Sequence, residues 1–204
     1  MARTKAPDFE AQREQILDLA ASAFAASSYP STSMADLAAA CGTSKARLYH
    51  YYESKEAILF DLLDRYTRRL MGIATAVEAD AARQRHSEQQ AFASLVRAFL
   101  VEYETSQTRH IALINDVKFL AEEQREQILR RERDVVAAFS RQLGRAYPER
   151  VTPENQTALT MTVFGMINWT FTWLKPGGKL SYTGFAEMVI DLLQNGLPGH
   201  GQAR

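Results

Sequence analysis

The sequence predicts an all-α protein in two parts, a small N-terminal helix-turn-helix bundle followed by a larger helical domain, with about nine helices in all. Three observations carry this. Apolar residues recur at spacings of three and four in one segment after another, the period of a helix with one buried face. Six prolines and ten glycines are few for 204 residues, and segments with the period of a strand are hard to find. The stretch Thr32–Leu59 packs three helix-start signals and two tight joints into one short span.

Residues Met1 to Pro7 are polar and basic; Arg3 and Lys5 carry the charge to meet a DNA groove or backbone, and a tail without a role is an equal reading. The first helix runs from about Phe9 to Ala26, with Ile16, Leu17, Ala20 and Phe24 as its apolar stripe. Tyr29-Pro30 breaks it, because the residue before proline is pushed out of helical geometry. Ser33 then caps a helix of about two turns, with Asp36 as acidic partner in the first turn. Gly42 follows where a chain leaves a helix through a left-handed residue. Thr43 or Ser44 caps a second short helix, Lys45 to about Tyr51, and Ser54 caps a third with Glu56 in its first turn. Two short helices around a tight glycine turn form a helix-turn-helix, whose second helix can lie in a DNA major groove.

Side chains separate a DNA reader from a plain helical corner. Leu37, Leu48 and Tyr52 are spaced to point inward. The second helix otherwise offers Lys45, Arg47, Tyr49, His50 and Tyr51, an unusual set for a merely solvated face. Lys45, Arg47 and Tyr49 are assigned to bases; Tyr49 and Tyr51 also suit phosphate oxygens. Ser33, Ser44 and Lys55 are assigned to phosphate through their helix N-termini.

From Ser54 an apolar stripe continues to roughly Ala82 through Ile58, Leu62, Tyr66, Leu70, Ile73 and Val77, a long helix suited to link two domains. Residues Asp80 to Gln90 read as a polar turn. A helix over about Glu88–Glu104 turns Phe92, Leu95, Val96, Phe99, Leu100 and Tyr103 inward, and one or two short helices hold His110 to Phe119. Glu122 to Tyr147 reads as a long helix whose charged first half is a solvated face with i,i+4 pairs. The segment Pro153 to about Leu174 is apolar nearly all round, and Lys175-Pro-Gly-Gly ends it. The last helix, about Tyr182 to Asn195, places Phe185, Met188, Val189, Leu192 and Leu193 on one face. One subunit cannot easily cover both faces of the Pro153–Leu174 helix, so these two helices predict a homodimer interface; a monomer closing its own core is the plainer alternative. The division expected is 1–53 for DNA and 54–204 for ligand binding and dimerisation.

Composition limits the function classes. Lys plus Arg and Asp plus Glu both number 24, a net charge of zero, so DNA binding must come from placement of charge rather than its bulk. The single cysteine, Cys41, allows no intrachain disulfide and reads as a small packing residue rather than a redox sensor. No apolar run approaches the roughly 20 residues that span a bilayer, and no secretory signal is visible, so a soluble cytoplasmic protein without membrane partners is expected. His50, His86, His110 and His200 show no metal-ligand spacing, Cys41 has no evident base, and no glycine-rich phosphate loop follows a strand. An enzyme, a metal site and a cofactor are therefore not expected.

The blocks T-S-M-A-D-L-A, C-G-T-S-K-A-R-L-Y-H-Y-Y and S-K-E-A-I-L, in that order, resemble the TetR-type bacterial transcriptional regulators. The match covers the first third by motif and the rest by architecture. Ser28 departs from it, standing where the family usually has glycine, which costs about 1 kcal/mol if the backbone there is left-handed. The segments R-H-I-A-L-I-N-D-V-K-F-L-A-E-E-Q-R-E-Q-I and G-M-I-N-W-T-F-T-W-L-K-P-G-G-K-L-S are similar to a branch of that family that answers to acyl-CoA thioesters. The resemblance implies a repressor that binds a palindromic operator in double-stranded DNA as a homodimer and is released by a small-molecule effector, here an acyl-CoA thioester. Candidate effector residues are Phe99, Tyr103, Phe119, Phe164, Asn168, Trp169 and Trp173 for the acyl part, and Arg109, Lys118, Arg125 and Arg130 for the phosphates; core packing and surface charge are the plain alternatives. A DNA-binding regulator without a ligand, controlled by a protein partner, is the rival reading.

Overall fold

The computed structural model describes residues 5–196, with side chains from Phe9. The side chains of Arg3 and Lys5 and the C-terminal tail bearing His200 lie outside those described. Among the described residues there is no strand. The helices are α1 (Lys5–Ser27), α2 (Met34–Ala40), α3 (Lys45–Tyr49), α4 (Lys55–Gln84), α5 (Glu88–Thr105), α6 (Gln107–Asp116), α7 (Glu122–Ala146), α8 (Gln156–Asn168), α9 (Thr170–Trp173) and α10 (Tyr182–Asn195), with a 3-10 turn at Val117–Phe119. The chain divides into two compact units, Met1–Arg69 with Ser106–Glu132, and Leu70–Thr105 with Arg133–Arg204. This packing division differs from the functional one expected at residue 53, because α6 packs on α1 and the first part of α7 bonds to Asp64 of α4.

In the first unit α1 lies along α2 and α6. Its core holds Ile16, Leu17, Ala20 and Phe24 of α1, Leu37 of α2, Leu48 of α3, and Ile58, Leu62 and Tyr66 of α4, all buried. The joint after α1 is made without glycine: Ser28 stands at φ 65°, the left-handed residue anticipated there. The Thr32 hydroxyl donates to the Ser28 carbonyl at 2.9 Å, an internal bond that offsets part of the strain. The first half of α7 is not simply a solvated face. Asp64 of α4 is buried, and its carboxylate accepts from Gln127 Nε2 at 2.9 Å, from Arg131, and from Arg68 at 3.0 Å. One α7 charge, Arg131, and the neutral amide of Gln127 are thus ligands of a buried acid.

Asp116, at the end of α6, is 5% exposed, and burial pushes its carboxyl up to about 6 against the opposing charge of Lys118. The folded state therefore holds this proton more tightly than the unfolded chain does. Stability falls as pH rises from about 4 to 6, and the cost persists above that. Asp116→Asn, which cannot ionise, is expected to be more stable than the parent by on the order of 1–2 kcal/mol at pH 7.5. The difference should shrink towards pH 4.5, as urea unfolding at the two pH values would reveal.

In the second unit α5 packs against α10. Phe139 of α7 is its centre, edge-on to Phe99 at 4.7 Å and in contact with Phe164 at 4.7 Å and Phe92 at 6.4 Å. Two expectations need correction. The polar turn over Asp80–Gln90 is much shorter: α4 continues to Gln84, Arg85 takes a left-handed φ of 57°, and His86 N–H donates back to the Ala81 carbonyl at 3.0 Å. Ser87 and Gln90 then close a reciprocal cap on α5, so polarity there marked helix ends rather than loop. The single helix Pro153–Leu174 is also divided. It starts at Gln156 and is interrupted at Trp169, where the Thr170 and Thr172 hydroxyls donate to the Ile167 and Trp169 carbonyls, each at 2.8 Å.

Candidate nucleic-acid interface

The helix-turn-helix is built from local chemistry. Ser33 Oγ accepts from the Asp36 amide at 3.2 Å, while the Asp36 carboxylate accepts from the Ser33 amide at 2.8 Å, a closed capping box at the start of α2. The Ser33 hydroxyl, donating to the same carboxylate at 2.6 Å, and the Ser33 amide hold the Asp36 carboxyl below its ordinary value. Gly42 leaves α2 at φ 60°, and Thr43 N–H returns to the Ala38 carbonyl at 2.9 Å, which no β-carbon-bearing residue would do as cheaply. Ser44 then caps α3 by accepting from the Arg47 amide at 3.2 Å. Helix α3 ends at Tyr49 with His50 as its cap, two residues before the expected end.

With Leu48 buried, the opposite side of α3 centres on Ala46 and is flanked by Lys45 and Tyr49 on one edge and Arg47 on the other, all exposed. Lys45 Nζ lies 5.8 Å from the Tyr49 ring centroid, a cation beside an aromatic edge. Arg47 borders a small recess with Gln12, Gln15, Cys41 and Thr43. Cys41 is half-buried there and burial pushes its thiol up, which favours the unreactive form.

Two assigned residues are placed otherwise than expected. Tyr51 stacks on Phe9 at 4.9 Å, with His50 edge-on to both rings, and its hydroxyl lies 3.4 Å from Gln12 Oε1. It packs the reader onto α1. The Lys55 ammonium turns inward, donating to the Tyr29 carbonyl at 2.9 Å, the Thr32 carbonyl at 2.8 Å and, weakly, the Pro30 carbonyl at 3.5 Å, over the Tyr29 ring at 4.3 Å. It fastens the turn after α1 to the start of α4.

Residues 16–62 match the model of the bacterial regulatory proteins, tetR family, and residues 85–197 that of the tetracyclin repressor-like C-terminal domain. The chain belongs to the TetR family. A TetR-family transcriptional regulator from Bordetella parapertussis 12822 is 34% identical, with 91% of this chain and 95% of that one covered at a TM-score of 0.85. The HTH-type transcriptional repressor KstR2 of Rhodococcus jostii (strain RHA1) is 24% identical over 196 residues, 91% of each chain. AibR, solved in complex with isovaleryl coenzyme A and operator DNA, is 24% identical over 89% of this chain and 97% of its own, with a TM-score of 0.71, a likeness of fold.

In this TetR-family chain the residues read as effector contacts do not form one group. Phe99, Tyr103 and Phe164 are buried around Phe139 in the second unit, and the Tyr103 hydroxyl donates to Asn168 Oδ1 at 2.7 Å. Trp169 and Trp173 are instead exposed, Trp173 against Phe185 at 5.0 Å. They continue a stripe at four-residue spacing, Met161, Gly165, Trp169 and Trp173, and α10 exposes Met188 and Leu192 at the same spacing. A β-carbon built on Gly165 would meet nothing within 4 Å. In the first unit Phe119 stacks on Tyr29 at 5.3 Å, with Lys118 beside its ring, and Arg130 is exposed. Arg125 is paired with Glu122, and Arg109 with Asp18 and Glu14. The sequence reading missed the acids that hold Arg109. Their signal was present as Glu10, Glu14 and Asp18 at successive i+4 steps on α1.

No helix of the described residues is long and apolar enough to cross a membrane.

Proposed function

We propose that the protein is a ligand-responsive transcriptional repressor that binds a two-fold-symmetric operator as a homodimer and is released by an acyl-CoA thioester. The observation that carries the DNA reading is the exposed face of α3, where Lys45, Tyr49 and Arg47 stand on a doubly capped helix-turn-helix. In this reading residues 1–53 read DNA and residues 54–204 serve ligand and dimer. Lys45, Tyr49 and Arg47 approach base edges; the amides at the starts of α2 and α3, beside Ser33 and Ser44, and at Lys55 meet phosphate; His50 flanks the backbone. Support for a second copy comes from the apolar stripe on α8 and α9 and from α10, with Gly165 permitting close approach of a partner helix. Two readers on one two-fold axis suit half-sites about one helical turn apart, on the order of 34 Å.

Support for the effector class comes from AibR, whose complex holds isovaleryl coenzyme A, and from the sequence segments similar to the acyl-CoA-responsive branch. In this chain the acyl group is assigned to the aromatic cluster of Phe99, Tyr103 and Phe164, with Asn168 as its polar group. Arg109 and Arg125 are dropped from the phosphate contacts because acids already hold them. The effector must bind the released arrangement better than the DNA-bound one, since only differential affinity shifts a population.

The test is selection from a random DNA pool by the purified protein, followed by native mass spectrometry and binding titrations with a panel of acyl-CoA thioesters. An inverted repeat bound by a dimer, and weakened by one thioester class, is the expected result. Lys45→Ala and Tyr49→Ala should each cost about 1–3 kcal/mol of discrimination between selected and mismatched sites. A pool that yields no preferred sequence would defeat the DNA reading; a dimer indifferent to every thioester would defeat the effector class.

A further inference from the structure

Helix α1 is gripped by arginines from two other helices. Glu14 Oε1 accepts from Arg65 Nη1 of α4 at 2.7 Å, and Glu14 Oε2 accepts from Arg109 Nη2 of α6 at 2.9 Å. Arg109 also spans Asp18 Oδ1 through Nε at 3.0 Å and Nη2 at 2.8 Å. Arg65 reaches Glu10 Oε2 at 2.9 Å and Asp61 Oδ1 at 2.9 Å, and Asp61 in turn accepts from Arg13 at 2.7 Å and from the Tyr52 hydroxyl at 2.6 Å. The Arg109 side chain is only 12% exposed, so this is not a loose surface pair. Burial alone would raise Glu14, yet the hydrogen bonds and charges of Arg109 and Arg65 hold it below the ordinary carboxylate value. Removing the Arg109 guanidinium takes this bridge from Asp18 and leaves Glu14 to Arg65 alone.

The grip acts on the reader through packing. Helix α1 carries Leu17 and Phe24 into the core shared with Leu37 and Leu48, and its Phe9 holds Tyr51. Whatever sets α1 therefore sets α2 and α3. We infer that Arg109, acting with Arg65, is a positioning residue of the DNA reader: it fixes α1 against α6 through Glu14 and Asp18, and so holds α3 in the orientation that meets DNA. This rests on the assignment of α2 and α3 to DNA. Arg109 touches no base or phosphate in this role. Its loss lets α1 sample other placements, and affinity falls by the fraction of time the reader is competent.

The experiment compares the full-length parent with R109Q, R109K and, as a control for loss of one charge, R83Q. The probe is the DNA selected by the parent from the random pool, titrated over a range of salt, with hydrogen exchange of the free proteins in parallel. R109Q is expected to bind about tenfold more weakly with the same salt slope, because the slope counts phosphate contacts and Arg109 makes none. R109K should fall between, since an ammonium cannot span both carboxylates as the guanidinium fork does. Amides of α1 to α3 should exchange faster in R109Q and not in R83Q. If R109Q does not fold, D18N, which keeps Glu14, serves in its place. Parent-like affinity and exchange would overturn the inference, as would a reduced salt slope, which would mean direct contact with DNA. If the parent selects no DNA, the function proposed above fails while hydrogen exchange still decides whether Arg109 holds α1.

Discussion

Trp169→Glu is expected to convert the protein from dimer to monomer at micromolar concentration. Trp169 is 59% exposed in the single chain, in line with Met161 and Trp173, and in the proposed homodimer a second copy would cover that stripe. About six-tenths of the roughly 150–250 Å² of a tryptophan is left to bury, worth about 2–4 kcal/mol per copy at the usual rate per area, and an isologous contact carries the change twice. A carboxylate in its place forfeits that and must also be desolvated or hold the interface open. The dimer dissociation constant should rise by at least about a thousandfold, corresponding to some 4 kcal/mol. Sedimentation velocity would detect this directly, and the parent's melting temperature should depend on concentration while the variant's should not. Binding to an inverted repeat should collapse with the dimer, because each monomer would engage a half-site alone. A variant that stays dimeric would remove the stripe from the interface and with it the symmetry of the operator model.

The second large effect is expected from Lys55→Met, and it is an effect on stability. A lysine at the start of a helix beside a DNA reader suggests a phosphate contact. The ammonium is instead committed to the carbonyls of Tyr29 and Thr32 at 2.9 and 2.8 Å, above the Tyr29 ring at 4.3 Å. Methionine keeps most of the stem's packing and removes the charge and donors. Charge-assisted bonds of this kind contribute about 1.5–3 kcal/mol before solvent competition is allowed for, and the ring contact adds about 0.5–1 kcal/mol. Lys55→Met should therefore cost on the order of 2–3 kcal/mol in urea unfolding. Operator binding should weaken at all sites equally, which a lost phosphate contact would also cause, so the salt dependence discriminates. An unchanged slope is expected; a slope reduced by about one charge, with stability intact, would return Lys55 to the phosphate backbone.

The helix-turn-helix was legible because its determinants are short-range. Ser33 with Asp36, Gly42 with Ala38, and Ser44 with Arg47 are partners within a few residues, so their spacing carries their geometry. The left-handed Ser28 was legible for the same reason, as were the apolar faces of α5 and α10, whose period survives any tertiary arrangement. The polar residues at Asp80–Gln90 misled because a solvated helix end and a loop share a composition; capping bonds at Arg85, His86 and Ser87 made the distinction.

What only the tertiary structure decided was the partner of each charged or aromatic side chain. Nothing near Arg109 in sequence says that it meets Glu14 and Asp18, nothing near Asp64 announces Arg131, and Lys55 finds its carbonyls some 25 residues upstream. Trp169 and Trp173 read as effector contacts on a helix apolar nearly all round, yet in one chain they face outward, because hydrophobicity states that a surface needs covering and not which molecule covers it. The sequence by itself determined most of the helices, the caps of the helix-turn-helix and the family. Long-range pairing depends on which helix faces bring distant charges within hydrogen-bond reach, and that is settled only when the helices pack.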